Sequence, residues 1–162
     1  MVNYYFAYTA PINPPNTTPV LTVPQVWQGL QRKIRFAQEF VSAITSCTVL
    51  EDKDGVVTRA VTFKDGLGVA TNKKEVVKGY EPTWVDFHQE DGAVIRNIIS
   101  AGPDGTDESL HMTYMFEWRY PTIEEGSVEA KETHEKLKKM AKMAVDMSIN
   151  TIREMVVEGK IK

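Results

Sequence analysis

With 162 residues, 42% of them hydrophobic and 25% charged, the chain is long enough to bury a core without disulfides or metals. A formal net charge of -3 supplies no positive field for polyanions, which excludes nucleic acid as an expected partner. No stretch reaches the roughly 18 apolar residues of a membrane span, and the single cysteine, Cys47, suits a reducing compartment, so a cytoplasmic protein is expected.

The chain opens on an aromatic run, Asn3 to Thr9, that reads as a strand, followed by a rigid Pro/Asn loop from Pro11 to Pro19. Thr22 and Gln25 have the spacing of a capping box, with Leu21 and Val26 placed for a hydrophobic staple, so a helix is expected from about Val23. Val26, Trp27, Leu30 and Ile34 form its apolar stripe, and Gln28, Gln31, Arg32 and Lys33 are assigned to the wet side.

From Ser46 to Tyr120 the pattern changes to short β-rich runs: SCTVLE, VVTRAVTFK, VATNKKEVVKGY, TWVDFHQE, AVIRNIIS and LHMTYMFEWRY. Between them lie turn signals such as Lys53-Asp54-Gly55, Lys64-Asp65-Gly66, Asp91-Gly92 and Gly102-Pro103-Asp104-Gly105. Links this short suit antiparallel hairpins, and with the first strand they make a meander of about seven strands. After Pro121, Ser127 can cap a helix that meets no Gly or Pro until Gly159 and is roughly 45 Å long. Its expected apolar stripe is Leu137, Met140, Ala141, Ala144, Met147, Ser148, Ile152 and Met155. The fold class is therefore α+β, a curved antiparallel sheet wrapped on a long C-terminal helix.

Strand alternation nominates the inward polar groups. Arg59 shares a face with Val57, Val61 and Phe63; Lys73 and Glu75 share one with Val69, Thr71 and Val77, so Arg59 and Glu75 can pair across neighbouring strands. Asn97 lies between Ile95 and Ile99, and Tyr114 between Met112 and Phe116, as polar tips in apolar walls. These patterns nominate Arg59, Glu75 and Tyr114 as catalytic groups. Lys73, Asn97, Met112, Phe116, Met140, Ala144 and Met147 are the nominated ligand contacts. The bland alternatives are a structural Arg59–Glu75 bridge and a core Asn97 and Tyr114 satisfied by the backbone. His88, His111 and His134 lack metal-ligand spacing, His111 is expected to face outward, and Cys47 reads as a small buried hydrophobe.

The segments Trp27-Gln-Gly-Leu30, Ala43-Ile-Thr-Ser-Cys47, Thr58-Arg-Ala-Val-Thr-Phe63, Asn97-Ile-Ile-Ser100 and Met112 to Arg119, in this order of elements, resemble the AtaL-like family. That family lies within the START-like, SRPBCC superfamily of birch-pollen-allergen-type helix-grip folds. The resemblance spans nearly the whole chain and implies one START-like ligand-binding domain over residues 1–162, with an internal hydrophobic cavity and a tie to natural-product metabolism. It brings no catalytic motif. The leading expectation is a cofactor-free cyclase, isomerase or dehydratase acting on an apolar polyketide-, terpenoid- or peptide-derived intermediate, with no metal. The alternatives are a non-catalytic carrier of a lipid-like or aromatic metabolite and a protein-interaction module. A homodimer is compatible with the sequence.

Overall fold

The computed structural model describes residues 1–65 and 71–162. Among these residues seven strands and two α-helices follow one another: β1 (Val2–Pro11), α1 (Val23–Arg35), β2 (Ile44–Lys53), β3 (Val56–Phe63), β4 (Asn72–Tyr80), β5 (Trp84–Gln89), β6 (Val94–Ser100), β7 (His111–Tyr120) and α2 (Val128–Val157). The sheet is antiparallel in the order β1-β7-β6-β5-β4-β3-β2, so a plain meander is closed by β1 returning beside β7. Register shifts on β2 between Ile44 and Ser46 and between Val49 and Glu51 add local bend at that edge.

Local chemistry places the elements. Thr22 accepts from Gln25 N while the Gln25 side chain accepts from Thr22 N at 3.0 Å, forming the expected capping box, and Pro24 fits the first turn where its missing N–H costs nothing. Leu21 and Val26, the staple pair, are both fully buried. Asp54 and Gly55, at φ +53° and +77°, turn β2 into β3, and the positive φ at both positions favours these residue types. Ser127 caps α2 by accepting from Ala130 N at 3.1 Å, and Gly159, at φ +72°, ends it.

The long helix is held by its ends as well as its face. Tyr4 on β1 donates to the Ala130 carbonyl at 2.9 Å, and Arg153 donates to the carbonyls of Ile12 and Pro19, tying the proline-rich loop to α2. Helices α1 and α2 touch closely at Gly29, where an added Cβ would lie 2.4 Å from Ile152 Cγ1. That contact explains the glycine inside the Trp27-Gln-Gly-Leu30 segment.

The buried face of α2 differs from the expected stripe. Leu137, Ala141, Ser148, Ile152 and Met155 are buried as expected, and Val145 and Ile149 join them. Met140, Ala144 and Met147 are only half-buried because they flank an internal space instead of meeting strand side chains. Leu137 is 2% exposed, so Leu137→Ala is expected to cost about 2–5 kcal/mol, the range for large-to-small core changes. Urea denaturation reads this directly, and an unchanged midpoint would remove Leu137 from the core.

Two further expectations change. The strand run beginning at Val69 starts, among the described residues, at Asn72; Gly66 and Val69 lie outside them, and Thr71 is exposed. Cys47 is half-buried beside a small cluster of Ala37, Ile44 and Val61 instead of lying in the main core. His111 is half-buried on β7 and does not line the internal space.

Candidate functional site

Between the inner sheet face and α2 lies a cavity of about 150 Å³. Period-2 alternation on β5, β6 and β7 turns Phe87, Ile95, Phe116, Trp118 and Tyr120 into its wall. On β7 the wall is a continuous aromatic ladder: Tyr114 meets Phe116 edge-on at 6.2 Å and Phe116 stacks on Trp118 at 4.4 Å. Helix α2 closes the opposite side with Leu137, Met140, Met143, Ala144 and Met147, and Val41–Ile44 with Phe63 supply the remaining side.

The polar groups gather at one part of this apolar space. Arg59 and Glu75 are direct cross-strand partners, as the alternation implies, with 2.6 Å between Nη2 and Oε2 and both side chains 4% exposed. Arg59 Nε and Nη2 donate to the same carboxylate oxygen, and Nη1 donates to the carbonyls of Lys33 and Ile34 at 2.9 and 2.8 Å. Those two carbonyls belong to the last turn of α1, where no intrahelical donor remains for them. Glu75 Oε1 accepts from Gln89 Nε2 at 3.0 Å. The pair thus clamps the C-terminal end of α1 onto β3 and β4, and most of its hydrogen-bonding capacity goes to protein.

Lys33 is the residue the sequence assignment misplaced. Set on the wet side of α1, it is 5% exposed and points inward. Its Nζ donates to Asn97 Oδ1 at 2.9 Å, to the Tyr114 hydroxyl at 3.0 Å and to Ser148 Oγ at 3.3 Å, drawing β6, β7 and α2 to one point. The ammonium also sits 4.3 Å from the Tyr114 ring centroid. Burial, reinforced by the Arg59 charge and opposed by Glu75, pulls its pKa from 10.5 down to about 7. Burial pushes the Tyr114 phenol up, so it stays protonated and able to donate. The helical period held the signal: seven residues after Val26, position 33 returns to within about 20° of that buried side chain.

The other nominated residues divide. Asn97, Phe116, Met140, Ala144 and Met147 line the cavity, as does Lys73, whose Nζ donates to Gln89 at 2.7 Å and to Asp91 at 3.2 Å. Met112 does not. It is fully buried at the start of β7, opposite Ala10 and Ile99, where core side chains fill the space; the cavity begins one inward position later, at Tyr114. Phe87, Gln89, Trp118, Tyr120 and Met143 are lining residues that were not nominated. Among the described residues no group of three or more His, Cys, Asp or Glu is placed to hold a metal, and no helix is long and apolar enough to cross a membrane.

A curved antiparallel sheet gripping a long terminal helix around a cavity is the helix-grip architecture of START-like proteins. Solved structures share it at low sequence identity. The di-domain ARO/CYC StfQ from the steffimycin biosynthetic pathway matches with a TM-score of 0.70 at 11% identity over 95% of this chain. The di-domain ARO/CYC BexL from the BE-7585A pathway gives 0.66 at 10% identity over 94%. This chain spans about half of each, 52% of the first and 49% of the second. The Zhui aromatase/cyclase from Streptomyces sp. R1128 gives 0.62 at 14% identity, with 96% of both chains covered.

The sequence resolves the family within that architecture. The chain belongs to the AtaL family, acetylaranotin biosynthesis cluster protein L, whose model matches residues 6–159. It is 30% identical over 159 residues to acetylaranotin biosynthesis cluster protein L of Aspergillus terreus (strain NIH 2624 / FGSC A1156), covering 98% of this chain and 94% of that one.

Proposed function

We propose that this chain is an enzyme of natural-product biosynthesis, with residues 1–162 acting as one START-like domain that folds an apolar intermediate inside the cavity for cofactor-free cyclisation, isomerisation or dehydration. The observation that carries the reading is the buried Lys33–Asn97–Tyr114–Ser148 cluster on an otherwise aromatic and methionine-lined cavity. Apolar walls with a few convergent polar groups are the usual form of a small-molecule site. A purely apolar core would avoid the cost of burying an amine there. The similarity to a fungal acetylaranotin biosynthesis cluster protein, and a fold shared with ARO/CYC proteins, support the same reading.

The groups divide the work by chemistry. The aromatic ladder and α2 exclude water and hold a flexible chain in a reactive conformer. Tyr114, protonated at neutral pH, donates to an oxygen that gains charge, and Lys33, close to its midpoint there, accepts or returns a proton. Arg59 and Glu75 fix the last turn of α1 and so set the position of Lys33. The second reading is a non-catalytic carrier. It is favoured by Met140, Met143 and Met147, whose unbranched side chains adapt to varied ligand shapes.

The test is incubation of the purified protein with short poly-β-carbonyl thioester analogues, followed by mass spectrometry for loss of water or an isomeric product. Turnover supports the enzyme; stoichiometric binding without turnover supports the carrier. Ala144 is half-buried on the cavity wall, so Ala144→Trp is expected to fill the space and abolish both binding and turnover while the protein remains folded by circular dichroism. Ligand binding that survives this change would put the site elsewhere.

A further inference from the structure

Charge within the cavity does not balance. Among its described lining residues Lys33, Arg59 and Lys73 are cationic, and Glu75 is the only carboxylate. Arg59 takes Glu75, and Lys73 has Asp91 at 3.2 Å, whereas Lys33 is surrounded by three neutral acceptors. Two donors beside it also remain to be used. When Tyr114 and Asn97 accept from the ammonium, the phenolic hydrogen can turn from its neighbour Ser148 Oγ into the cavity. Asn97, 1% exposed, has no acceptor for its Nδ2 among the described residues. A buried amine able to carry a proton, with a phenolic O–H and an unpaired amide N–H next to it at the edge of an apolar space, is complementary to negative charge on oxygen.

We propose that Lys33, Asn97 and Tyr114 bind an anionic oxygen at the head of an apolar ligand, either a carboxylate or the enolate of a 1,3-dicarbonyl compound. This rests on the cavity being the ligand site and names the head group it selects. For a 1,3-dicarbonyl compound the balance closes within the site. Neutral Lys33 takes the proton from the carbon between the carbonyls, the C–H electrons move to a carbonyl oxygen, and the resulting ammonium and enolate neutralise each other. No other reactant is needed. In a longer poly-β-carbonyl chain the enolate carbon then attacks a carbonyl further along, the π pair of that C=O moves to its oxygen, and the oxygen takes the proton back from the Lys33 ammonium.

Binding should be linked to protonation. The charged or titratable groups facing Lys33 are Arg59 from β3, Glu75 from β4 and Tyr114 from β7; β6 and α2 present the neutral Asn97 and Ser148. None of them supplies a counter-charge to the amine by direct contact, so an arriving anion holds Lys33 in its ammonium form.

Isothermal titration at pH 8 with octanoate and with octanamide tests this, in two buffers of different ionisation enthalpy. Octanoate is expected to bind at least about tenfold more tightly, with uptake approaching one proton per ligand. Lys33→Met is expected to abolish the difference and the uptake. Tyr114→Phe, which keeps the cation, is expected to weaken octanoate severalfold while proton uptake persists, so the inference stays testable if the first variant does not fold. A parallel arm with nonane-2,4-dione should show the red-shifted enolate absorbance on binding, lost in Lys33→Met. A preference in only one arm assigns the anion to that source. Equal affinity for octanoate and octanamide without an enolate signal, or a preference that survives Lys33→Met, overturns the proposal. Anion preference without turnover of any precursor would instead overturn the enzyme reading and leave this one standing.

Discussion

Arg59→Met alone is expected to destabilise the fold by about 3–5 kcal/mol, the cost of leaving a buried charge without its partner. The carboxylate of Glu75, 4% exposed, would keep only the amide of Gln89, and the carbonyls of Lys33 and Ile34 would lose their donor. Glu75→Leu alone should cost a similar amount by stranding the guanidinium. Combining the two removes both charges and is expected to recover much of the loss. A residue of about 1–3 kcal/mol should remain, because the two helix-end carbonyls stay unpaired in the double variant. Urea denaturation of the four proteins, treated as a double-mutant cycle, measures the coupling. No coupling would mean that the side chains do not meet. Function adds a second readout: a double variant with parental turnover makes the pair a structural clamp, and one that folds but fails to turn over makes it part of the chemistry.

The stability of the protein is expected to rise with pH between about 7 and 10.5, and Lys33 should be the cause. Its pKa is about 7 in the folded protein and 10.5 when solvated. Below 7 the amine is protonated in both states and the full cost of burying the cation is present. Between the two values the unfolded chain binds the extra proton, so raising the pH favours the folded state by up to about 1.4 kcal/mol per unit. Above 10.5 the amine is neutral in both states and the gain is complete. Chemical denaturation of the parent and of Lys33→Met at pH 6, 7, 8 and 9 isolates this contribution, since the other titrating groups are common to both. The parent should gain on the variant by about 2–3 kcal/mol from pH 7 to 9. A difference independent of pH would show that Lys33 titrates alike in both states.

The Arg59–Glu75 contact was legible because two independent patterns converged on it. Each residue shares the parity of buried valines on its own strand, and a slip of one residue would turn either charged group out of the buried face. Asn97 and Phe116 were readable by the same rule. The rule identifies a face without saying what fills the space above it. Met112 and Tyr114 share a face of β7, yet one meets packed core and the other meets the cavity. The terminal helix shows the same limit, since Met140, Ala144 and Met147 border empty space and Val145 and Ile149 take the packed positions.

Lys33 marks where local pattern and chemistry conflict. Its helical angle places it with Val26 and Leu30, while its charge argued for solvent. The conflict resolves only when β6, β7 and α2 bring Asn97, Tyr114 and Ser148 within hydrogen-bonding distance of the amine. A buried polar group is tolerated when it has partners, and these lie 64, 81 and 115 residues away along the chain. The sequence by itself indicated the strands, the two helices with their caps, the meander and the inward parity shared by Arg59 and Glu75, because turns, caps and alternation act over a few residues. Tertiary structure alone decided that Met143 borders the cavity while Met112 is packed core, and that a lysine stands at the polar end of the cavity. Those outcomes depend on curvature and on side chains that meet only after the sheet has closed on α2.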